Sequence, residues 1–372
     1  MVETAALPAV LILNWRDLRN PEGGGSELYA EQVAAALARR GHPVTIMCAA
    51  HAHGAPEETT DSGVRIVRRG GRHTVYARAA WEYVRGRLGR PGVVIDVQNG
   101  LPFLSRLYAR TPVVLLVHHV HREQWRVVLG PVAARFGWWV ESWLSPRVHR
   151  GCRYIAVSES TRDELTELGV DAGRITIIHN GTPPPRYLSH ARAAVPTLLV
   201  LGRLVPHKRV EVALRTVQRL SAAHPDIQLV VAGQGWWLDP LREEAARLGI
   251  ADRVRFAGFV DEDEKQRLLA SAWAMLVPSL KEGWGLSVIE AAAHGTPAVA
   301  FRTAGGVAES VVDGETGFLA DDEEEFLQHC EHLVRDQELR GVMGEAARAH
   351  AGRFTWDETG KRFAALVDDV TG

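Results

Sequence analysis

Short, almost wholly apolar segments recur along this chain and alternate with segments of helical periodicity. An unbroken apolar segment predicts a strand buried on both faces, because a strand with one wet face alternates apolar and polar residues. Buried strands joined by helices form parallel sheets with helices on both sides. The first series of strands is predicted at residues 9–14, 44–48, 64–68, 93–97, 113–118, 154–157 and 175–178. We therefore expect an α/β protein.

The alternation stops once, at residues 181–196, where proline and glycine are frequent and no periodicity remains. It restarts with predicted strands at 197–201, 228–232, 254–257, 273–277, 298–301 and 317–320. A chain of 372 residues is long for one domain, since about 100–200 residues is usual. We predict two doubly wound, Rossmann-like domains, 1–180 and 197–355, that face each other across a cleft. A C-terminal helix is predicted at 356–372. Packing of this helix back on the first domain is one of the arrangements considered.

The bulk composition excludes several classes of protein. The net charge of −2 gives no overall field that favours nucleic acid. The three cysteines, Cys48, Cys152 and Cys330, have no metal-ligand spacing, so reduced and buried thiols are expected. The first eight residues lack the pattern of a secretory leader, and no segment has the roughly 20 apolar residues of a membrane span. We expect a cytoplasmic protein.

Two glutamates, Glu282 and Glu290, flank a glycine-rich turn and the start of a predicted helix that Gly295 and Pro297 end. The backbone N–H groups of residues 283–286 would then be unpaired at a helix N-terminus, where the dipole favours an anion or a hydroxyl. This segment is predicted to bind a ligand.

Basic residues follow the first predicted strand of the second domain. Arg203 and Lys208 lie within the segment 202–208. An arginine binds phosphate oxygens through two parallel hydrogen bonds, and a lysine acts as a point charge, so the pair suits a diphosphate. Without the Glu282–Glu290 segment, solvated surface residues would be the better interpretation.

Three successive glycines, Gly23, Gly24 and Gly25, lie between the first predicted strand and a helix at 27–40 with Ser26 as its expected N-cap. They permit close approach of the backbone to a bound group, and a flexible surface turn is the alternative. Their spacing is not Gly-x-Gly-x-x-Gly, which disfavours an NAD-dependent dehydrogenase.

Three histidines, His118, His119 and His121, lie at the end of the strand predicted at 113–118 and directly after it. A neutral imidazole at a strand's carboxyl end can bond a sugar hydroxyl. A zinc site is the less favoured alternative, because no further ligand pattern follows. We predict no metal site.

Aromatic residues are dense at 136–143, and eight arginines lie in 65–90 near Trp81 and Tyr83. Together with Trp125 they suit an anionic membrane or a lipid acceptor. Tryptophans in the core and arginines on a solvated face are the favoured interpretation. Peripheral contact of the N-terminal domain with the inner face of a membrane stays open.

Taken together, these motifs resemble the retaining family-4 glycosyltransferases of the two-Rossmann-domain type called GT-B, also described as glycosyl transferases group 1. Glu282 and Glu290 match the Glu-x7-Glu signature of that family. The segment 202–208, the glycines and the histidine after 113–118 match its other landmarks in the same order over essentially the whole chain. One departure is Trp284, where many relatives carry phenylalanine; another is the run of histidines.

The resemblance implies a nucleoside-diphosphate sugar held mainly by the C-terminal domain. By position, Glu290 would bond the donor ribose, and Glu282 with the amides of Gly283, Trp284, Gly285 and Leu286 would hold the sugar hydroxyls. Trp284 would form an aromatic wall of the donor site.

Other parts of the donor have implied partners as well. Arg203 and Lys208 would stabilise the departing diphosphate without a metal or other cofactor. His118 would contact the transferred sugar, and Phe259 and Val260 would lie in the base-contacting loop. Gly23, Gly24 and Gly25 would close over the phosphates or admit the acceptor.

The implied activity is retaining transfer of a hexosyl-type sugar from a UDP- or GDP-sugar to a hydroxyl acceptor. The acceptor hydroxyl attacks the same face of the sugar from which the diphosphate departs, and the leaving phosphate accepts the proton of that hydroxyl. A glycolipid, a polysaccharide and a natural product are all open as acceptors. The alternatives are a sugar-nucleotide 2-epimerase of related fold and a non-catalytic sugar- or lipid-binding scaffold.

Overall fold

A computed structural model describes residues 7–122, 124–125, 130–187 and 192–372. The chain divides into two compact units, and the first contains the described residues up to Gly181 together with Trp356–Gly372. Its strands are β1 Val10–Leu13, β2 Val44–Cys48, β3 Glu57–Thr59, β4 Arg65–Arg68, β5 Val93–Gln98, β6 Val113–Val117, β7 Arg153–Ala156 and β8 Ile175–Ile177. They form one sheet in the order β3-β4-β2-β1-β5-β6-β7-β8.

The sheet of this unit is parallel except at β3, which pairs antiparallel with β4. The central strands β1, β5 and β6 are buried along their whole length. The unbroken apolar sequences of β1 and β6 predict this burial, whereas β5 is buried although it contains Asp96 and Gln98. The helices of the unit begin with α1 Gly25–Arg39, α2 Val75–Val84, α3 Pro131–Trp139, α4 Ser145–Val148 and α5 Glu159–Glu167.

Three features of this unit were not indicated by the sequence. A π-helical turn, Val140–Leu144, joins α3 to α4. The edge strand β3 was missed because its residues, Glu57–Thr59, are polar and half-exposed. Ser26 is not the N-cap of α1: Gly24 occupies that position, and its N–H donates to Glu27 Oε2 at 2.7 Å.

The second unit, Thr182–Thr355, contains a six-stranded sheet in the order β11-β10-β9-β12-β13-β14. Its strands are β9 Thr197–Leu201, β10 Gln228–Ala232, β11 Val254–Gly258, β12 Ala274–Val277, β13 Ala298–Phe301 and β14 Gly317–Ala320. Its helices are α6 Val210–Leu220, α7 Leu238–Arg247, α8 Glu262–Ser271, α9 Leu286–Ala293, α10 Val307–Ser310, α11 Glu323–Arg335 and α12 Gln337–Ala351.

The strand order of the second unit reverses between β9 and β12, where the chain stops adding strands on one side and starts on the other. In open parallel sheets, a ligand binds beyond the carboxyl ends of the strands at such a switch point. The corresponding point in the first unit lies between β1 and β5. Both units are therefore doubly wound, as predicted.

Within the segment 181–196, Gly181 belongs to the first unit and the other described residues belong to the second. Arg192 donates through Nη1 to the carbonyl oxygens of Ala270 and Ala272 at 3.0 and 2.7 Å, and the Tyr187 hydroxyl bonds Asp263. These contacts fix the approach to β9.

The C-terminal helix, α13 Trp356–Thr371, packs in the first unit. Gly360 lies so close to α1 that an added Cβ would be 2.5 Å from Ala36 Cβ, and Thr359 Oγ1 donates to the His179 carbonyl at 2.9 Å. The ring of Tyr29 meets that of Phe363 edge-on at 6.4 Å. The first unit is therefore completed by the last helix of the chain.

Cys48, Cys152 and Cys330 are buried and free, as predicted for structural thiols. Within the described residues, no helix combines the length and the apolar character needed to cross a bilayer.

Candidate active site

A depression in the second unit lies at the switch point, beyond the carboxyl ends of β9 and β12. Residues from the end of β9, the turn that follows it, the end of β12 and the start of α9 line this depression, and they include Gly202, Arg203, Lys208, Ser279, Glu282 and Ser287. Residues far apart in sequence thus meet here because both strands end at the same edge of the sheet.

Glu282 is the acidic group of this depression. Its Oε1 accepts hydrogen bonds from the Lys208 ammonium and, at 2.7 Å, from the Ser279 hydroxyl. Burial opposes ionisation of Glu282, but the charge and the hydrogen bond of Lys208, with the Ser279 bond, outweigh it and lower the pKa of Glu282. The structure therefore holds Glu282 as a carboxylate, a hydrogen-bond acceptor, next to a cation.

The loop that carries Glu282 is fixed by its backbone. The Glu282 N–H donates to Ala304 O at 2.9 Å, and the Gly306 N–H donates to Glu282 O at 3.0 Å. A side chain on Gly306 would place its Cβ 2.0 Å from Gly283 O, so only glycine permits this approach. Glu282 is thereby held in place from both sides.

Helix α9 begins directly after this loop. Its N-cap residue, Gly285, has a φ of +82°, in the left-handed region that favours glycine. Leu286 and Ser287 open the helix, and both are partly exposed. The amides of a first helical turn have no partner within the helix and favour an anion or a hydroxyl oxygen.

Glu290 lies one helical turn further along α9 and is nearly buried, with 5% exposure. Its Oε1 pairs with Lys265 Nζ of α8 at 2.7 Å, and the same ammonium lies 2.9 Å from Glu262. Burial raises the pKa of Glu290, which Lys265 opposes. Burial also disfavours the ammonium of Lys265, but the two glutamates outweigh it and raise its pKa. Glu290 thus has a cationic partner of its own.

His118 follows β6 in the first unit and is buried, with 6% exposure. Its ring meets that of Tyr29 edge-on at 5.4 Å, and Nε2 has no hydrogen-bond partner in the described part of the chain. Burial lowers its pKa to about 4. The imidazole is therefore neutral at ordinary pH.

His119 and His121 have structural partners, although their rings lie only 4.0 Å apart. His119 Nε2 bonds Gln124 Oε1 at 2.7 Å. His121 bonds Glu141 through Nδ1 at 3.0 Å and Asn99 through Nε2 at 3.2 Å. Of the three histidines, His118 is thus the best placed to receive a ligand.

The glycines before α1 belong to the same hydrogen-bonded region. Asn99 Nδ2 donates to Ser26 Oγ at 3.0 Å, and Ser26 Oγ donates to Glu27 Oε2 at 2.9 Å, the atom that caps Gly24. An added Cβ on Gly23 would lie 3.0 Å from the carbonyl oxygens of Asp17 and Asn20. Gly25 is the first residue of α1. The turn is held by specific bonds, which argues against a merely flexible loop.

Three other residues predicted for the donor site are exposed to solvent to different extents. Trp284 is buried, and its ring meets that of Phe354 edge-on at 4.9 Å, so its interpretation as a wall of the donor site stays a prediction. Phe259 follows β11 with 76% of its surface exposed, and Val260 is partly buried.

No group of three or more histidine, cysteine, aspartate or glutamate side chains comes together as a metal ligand set within the described residues. Of the three neighbouring histidines, His119 bonds Gln124, and His121 bonds Glu141 and Asn99.

Two family models match the chain, one for each unit. The model described as Glycosyltransferase Family 4 matches residues 23–186, and the model described as Glycosyl transferases group 1 matches residues 190–350. Between them they contain every residue discussed above as a candidate for the site.

The chain belongs to glycosyltransferase family 4. Curated relatives carry names of the same class. Glycogen synthase of Mycobacterium tuberculosis is 29% identical over 324 residues, which cover 79% of this chain and 78% of the relative. D-inositol 3-phosphate glycosyltransferase of Streptomyces avermitilis is 34% identical over 228 residues, 55% of this chain and 49% of the relative. The protein is therefore a glycosyltransferase.

Solved structures establish the fold of this family-4 glycosyltransferase as GT-B. Sucrose-phosphate synthase from Thermosynechococcus elongatus matches with a TM-score of 0.82 at 19% identity, over 98% of this chain and 99% of that chain. Anabaena HepE in complex with UDP and glucose matches with a TM-score of 0.77 at 18% identity, over 98% and 100% of the two chains.

Two residues of this candidate site were not identified from the sequence. Ser279, which is 2% exposed, bonds Glu282 and lies only three positions before it. This short separation in the sequence could have identified Ser279. Lys265 lies 25 positions before Glu290. No local sequence pattern predicts that these two residues, which belong to different helices, form a pair.

Proposed function

We propose that the protein is a retaining transferase that moves a hexosyl-type sugar from a nucleoside-diphosphate sugar to a hydroxyl acceptor without a metal. The observation that supports this best is the contact of Lys208 and Ser279 with the ionised Glu282 at the switch point. A carboxylate suits sugar hydroxyls and a neighbouring cation suits a diphosphate, so one depression offers both halves of a sugar nucleotide a partner.

The donor is proposed to bind the second unit. Glu282 and the backbone amides of the loop before α9 and of its first residue, at Gly283, Trp284, Gly285 and Leu286, take the sugar hydroxyls. Glu290 takes the ribose, and the loop with Phe259 and Val260 takes the base. Crystal structures of Anabaena HepE contain UDP, or UDP-glucose, which supports a UDP-sugar here; a GDP-sugar is the alternative.

The chemical step requires charge stabilisation more than a protein nucleophile. As the bond between C1 and the donor phosphate oxygen breaks, positive charge develops on the sugar and negative charge on the diphosphate. Arg203 and Lys208 stabilise the leaving diphosphate, as preorganised cations do most effectively. The acceptor oxygen bonds to C1 on the same face, and its proton passes to the leaving phosphate. Glu282 acts as a binding group.

The first unit is proposed to supply His118 to the transferred sugar and the glycines Gly23, Gly24 and Gly25 to the phosphates or the acceptor. A neutral imidazole both donates and accepts a hydrogen bond, and the depressed pKa of His118 keeps it neutral during turnover. A polysaccharide, a glycolipid and a small natural product remain the acceptor classes to test. A cytoplasmic location stays a prediction.

Incubation with UDP-glucose or GDP-mannose and no acceptor separates this proposal from its rivals. We expect slow hydrolysis or no reaction in EDTA, and with an accepted hydroxyl compound a product that keeps the donor's anomeric configuration by NMR. A C2 epimer formed from donor alone would favour an epimerase. Nucleotide binding with no turnover on any acceptor would favour a scaffold, and an inverted product would refute same-face attack.

Lys265→Met is expected to raise the KM for the donor by about tenfold while kcat changes less. The substitution leaves Glu290 buried without the ammonium at 2.7 Å, which favours its protonated form and weakens its bond to the ribose. Steady-state kinetics at saturating acceptor measure this, and Lys265→Arg should recover part of the loss. An unchanged KM would show that Glu290 does not touch the donor or does not need its partner.

The contribution of His118 to turnover is expected to be independent of pH from about 5.5 to about 8. The pKa of His118 is lowered to about 4, so its imidazole gains a proton only as the pH falls through that value. The ratio of kcat/KM between the wild type and His118→Gln should therefore stay constant over this range. A ratio that changes around pH 6.5 would show an imidazole that titrates normally.

A further inference from the structure

An exposed apolar stripe runs along α3 and the π-helical turn of the first unit. Val132, Phe136, Trp139 and Trp143 form it and are 82%, 59%, 44% and 45% exposed. This corrects the favoured sequence interpretation, in which the tryptophans were core residues. Trp125 and Trp138, from the same region, do not belong to the stripe. Both are partly buried, and Trp138 packs against the core.

The three aromatic rings of the stripe form one continuous surface. The rings of Phe136 and Trp139 are 6.0 Å apart, and those of Trp139 and Trp143 stack at 5.4 Å. Contacts between the rings hold these residues together but leave much of their apolar surface exposed to water. Burial of that surface against an apolar partner would be favourable. A contiguous exposed apolar surface of this kind indicates an interaction site.

The exposed charged side chains within residues 131–150 are all arginines. Arg135, Arg147 and Arg150 are exposed, and the Arg147 guanidinium lies 4.3 Å from the centre of the Trp143 ring. The single carboxylate in residues 131–150 is Glu141, and it is fully buried. Within residues 131–150, the outer face therefore combines aromatic residues with arginines and carries no exposed carboxylate, the pattern of a helix that lies in an anionic membrane interface.

The inner face of the same segment supports the histidine loop. Glu141 accepts the backbone N–H of His121 at 3.1 Å and the indole N–H of Trp125 at 2.7 Å. Trp125 packs against Gly137, where an added Cβ would lie 2.7 Å from its ring. The stripe is thus presented on a segment whose position is fixed by the loop that follows His118.

We propose that this stripe docks the protein on the surface of an anionic lipid bilayer, with the rings of Phe136, Trp139 and Trp143 at the headgroup level and the arginines against lipid phosphates. A second copy of the chain fits less well, because a two-fold contact would bring the arginines of both copies together. The proposal is independent of the donor chemistry.

Co-sedimentation with vesicles tests the docking. We expect the wild type to bind phosphatidylcholine vesicles that contain phosphatidylglycerol at least about tenfold more tightly than vesicles of phosphatidylcholine alone. Raising the salt from about 0.1 M to about 0.5 M should weaken the binding.

Two variants separate the apolar and charged contributions. Trp139→Ser with Trp143→Ser, and Arg135→Glu with Arg147→Glu, should each weaken binding by about tenfold or more. The control Val342→Ser, at a 63% exposed position of the second unit, should bind as the wild type does. Unchanged thermal transitions and unchanged hydrolysis of donor by each variant show that the fold is intact.

Three results would overturn the proposal. The first is binding to vesicles that does not depend on anionic lipid. The second is binding that neither double variant weakens. The third is a dimer, detected by sedimentation equilibrium, that is lost in the Trp139→Ser, Trp143→Ser variant. The last would identify a second copy as the occupant of the stripe.

Discussion

Replacing Arg203 and Lys208 together with alanine is expected to lower kcat by about 10³-fold or more, because removal of one preorganised charge-stabilising group typically costs about 10²–10³-fold. Both residues line the depression beyond β9, where the leaving diphosphate is proposed to lie. The loss should appear in single-turnover transfer, with a smaller effect on folding, since Arg203 is exposed.

The matched control is Arg215→Ala with Arg219→Ala on α6. It removes the same charge from the same unit, but these arginines pair with Glu323 and Glu324 on the surface and should contribute little to catalysis. Lys208→Arg should retain part of the activity because it keeps the charge. Near-normal transfer by the Arg203, Lys208 double variant would eliminate the proposed role of these cations.

Glu282→Ala is expected to lower kcat/KM by about 10²-fold or more, as loss of a charged hydrogen-bond acceptor at a reacting sugar implies. Two effects combine: the sugar hydroxyls lose their carboxylate, and the Lys208 ammonium loses its partner. Glu282→Gln should be less damaging, because an amide oxygen still accepts hydrogen bonds. Steady-state kinetics with the donor varied would measure both.

Two further experiments define the role of Glu282. Ser279→Ala removes the 2.7 Å hydrogen bond to its Oε1 and should cost several-fold, about 1 kcal/mol, as expected of a residue that only positions Glu282. Azide should not restore the activity of Glu282→Ala, because the proposed attack involves no glycosyl-enzyme ester. Rescue with formation of a glycosyl azide would make Glu282 a nucleophile and contradict our mechanism.

The sequence predicted the buried parts of the fold well because burial on both faces leaves an unbroken apolar signal. Strands such as β2, β9 and β13 have the predicted bounds. The strand β3 gave no such signal, since Glu57–Thr59 lies at the sheet edge and is held by pairing with β4 rather than by burial. Helix α1 starts earlier than predicted: Gly24 is its N-cap residue, and the Gly24 N–H donates to the carboxylate of Glu27.

The site shows a similar division. The sequence and the family resemblance single out Glu282, Glu290, Arg203 and Lys208 as candidates, but they do not predict the contacts of these residues. The pairs Lys208–Glu282 and Lys265–Glu290 join residues 74 and 25 positions apart, and only the folded sheet brings them together. The spacing of Phe136, Trp139 and Trp143 predicts one helical face, but periodicity alone does not say whether that face points inward or outward.

The central claim, that the second unit binds a nucleoside-diphosphate sugar, is tested most directly by thermal shift with UDP, GDP and ADP and their sugars in EDTA. A ligand at about 100 times its Kd adds about 2.7 kcal/mol of stability, so UDP or GDP and the matching sugar should raise the transition temperature of the wild type. The shift should shrink in Glu290→Ala. No shift with any of these nucleotides, at concentrations up to the millimolar range, would contradict the claim.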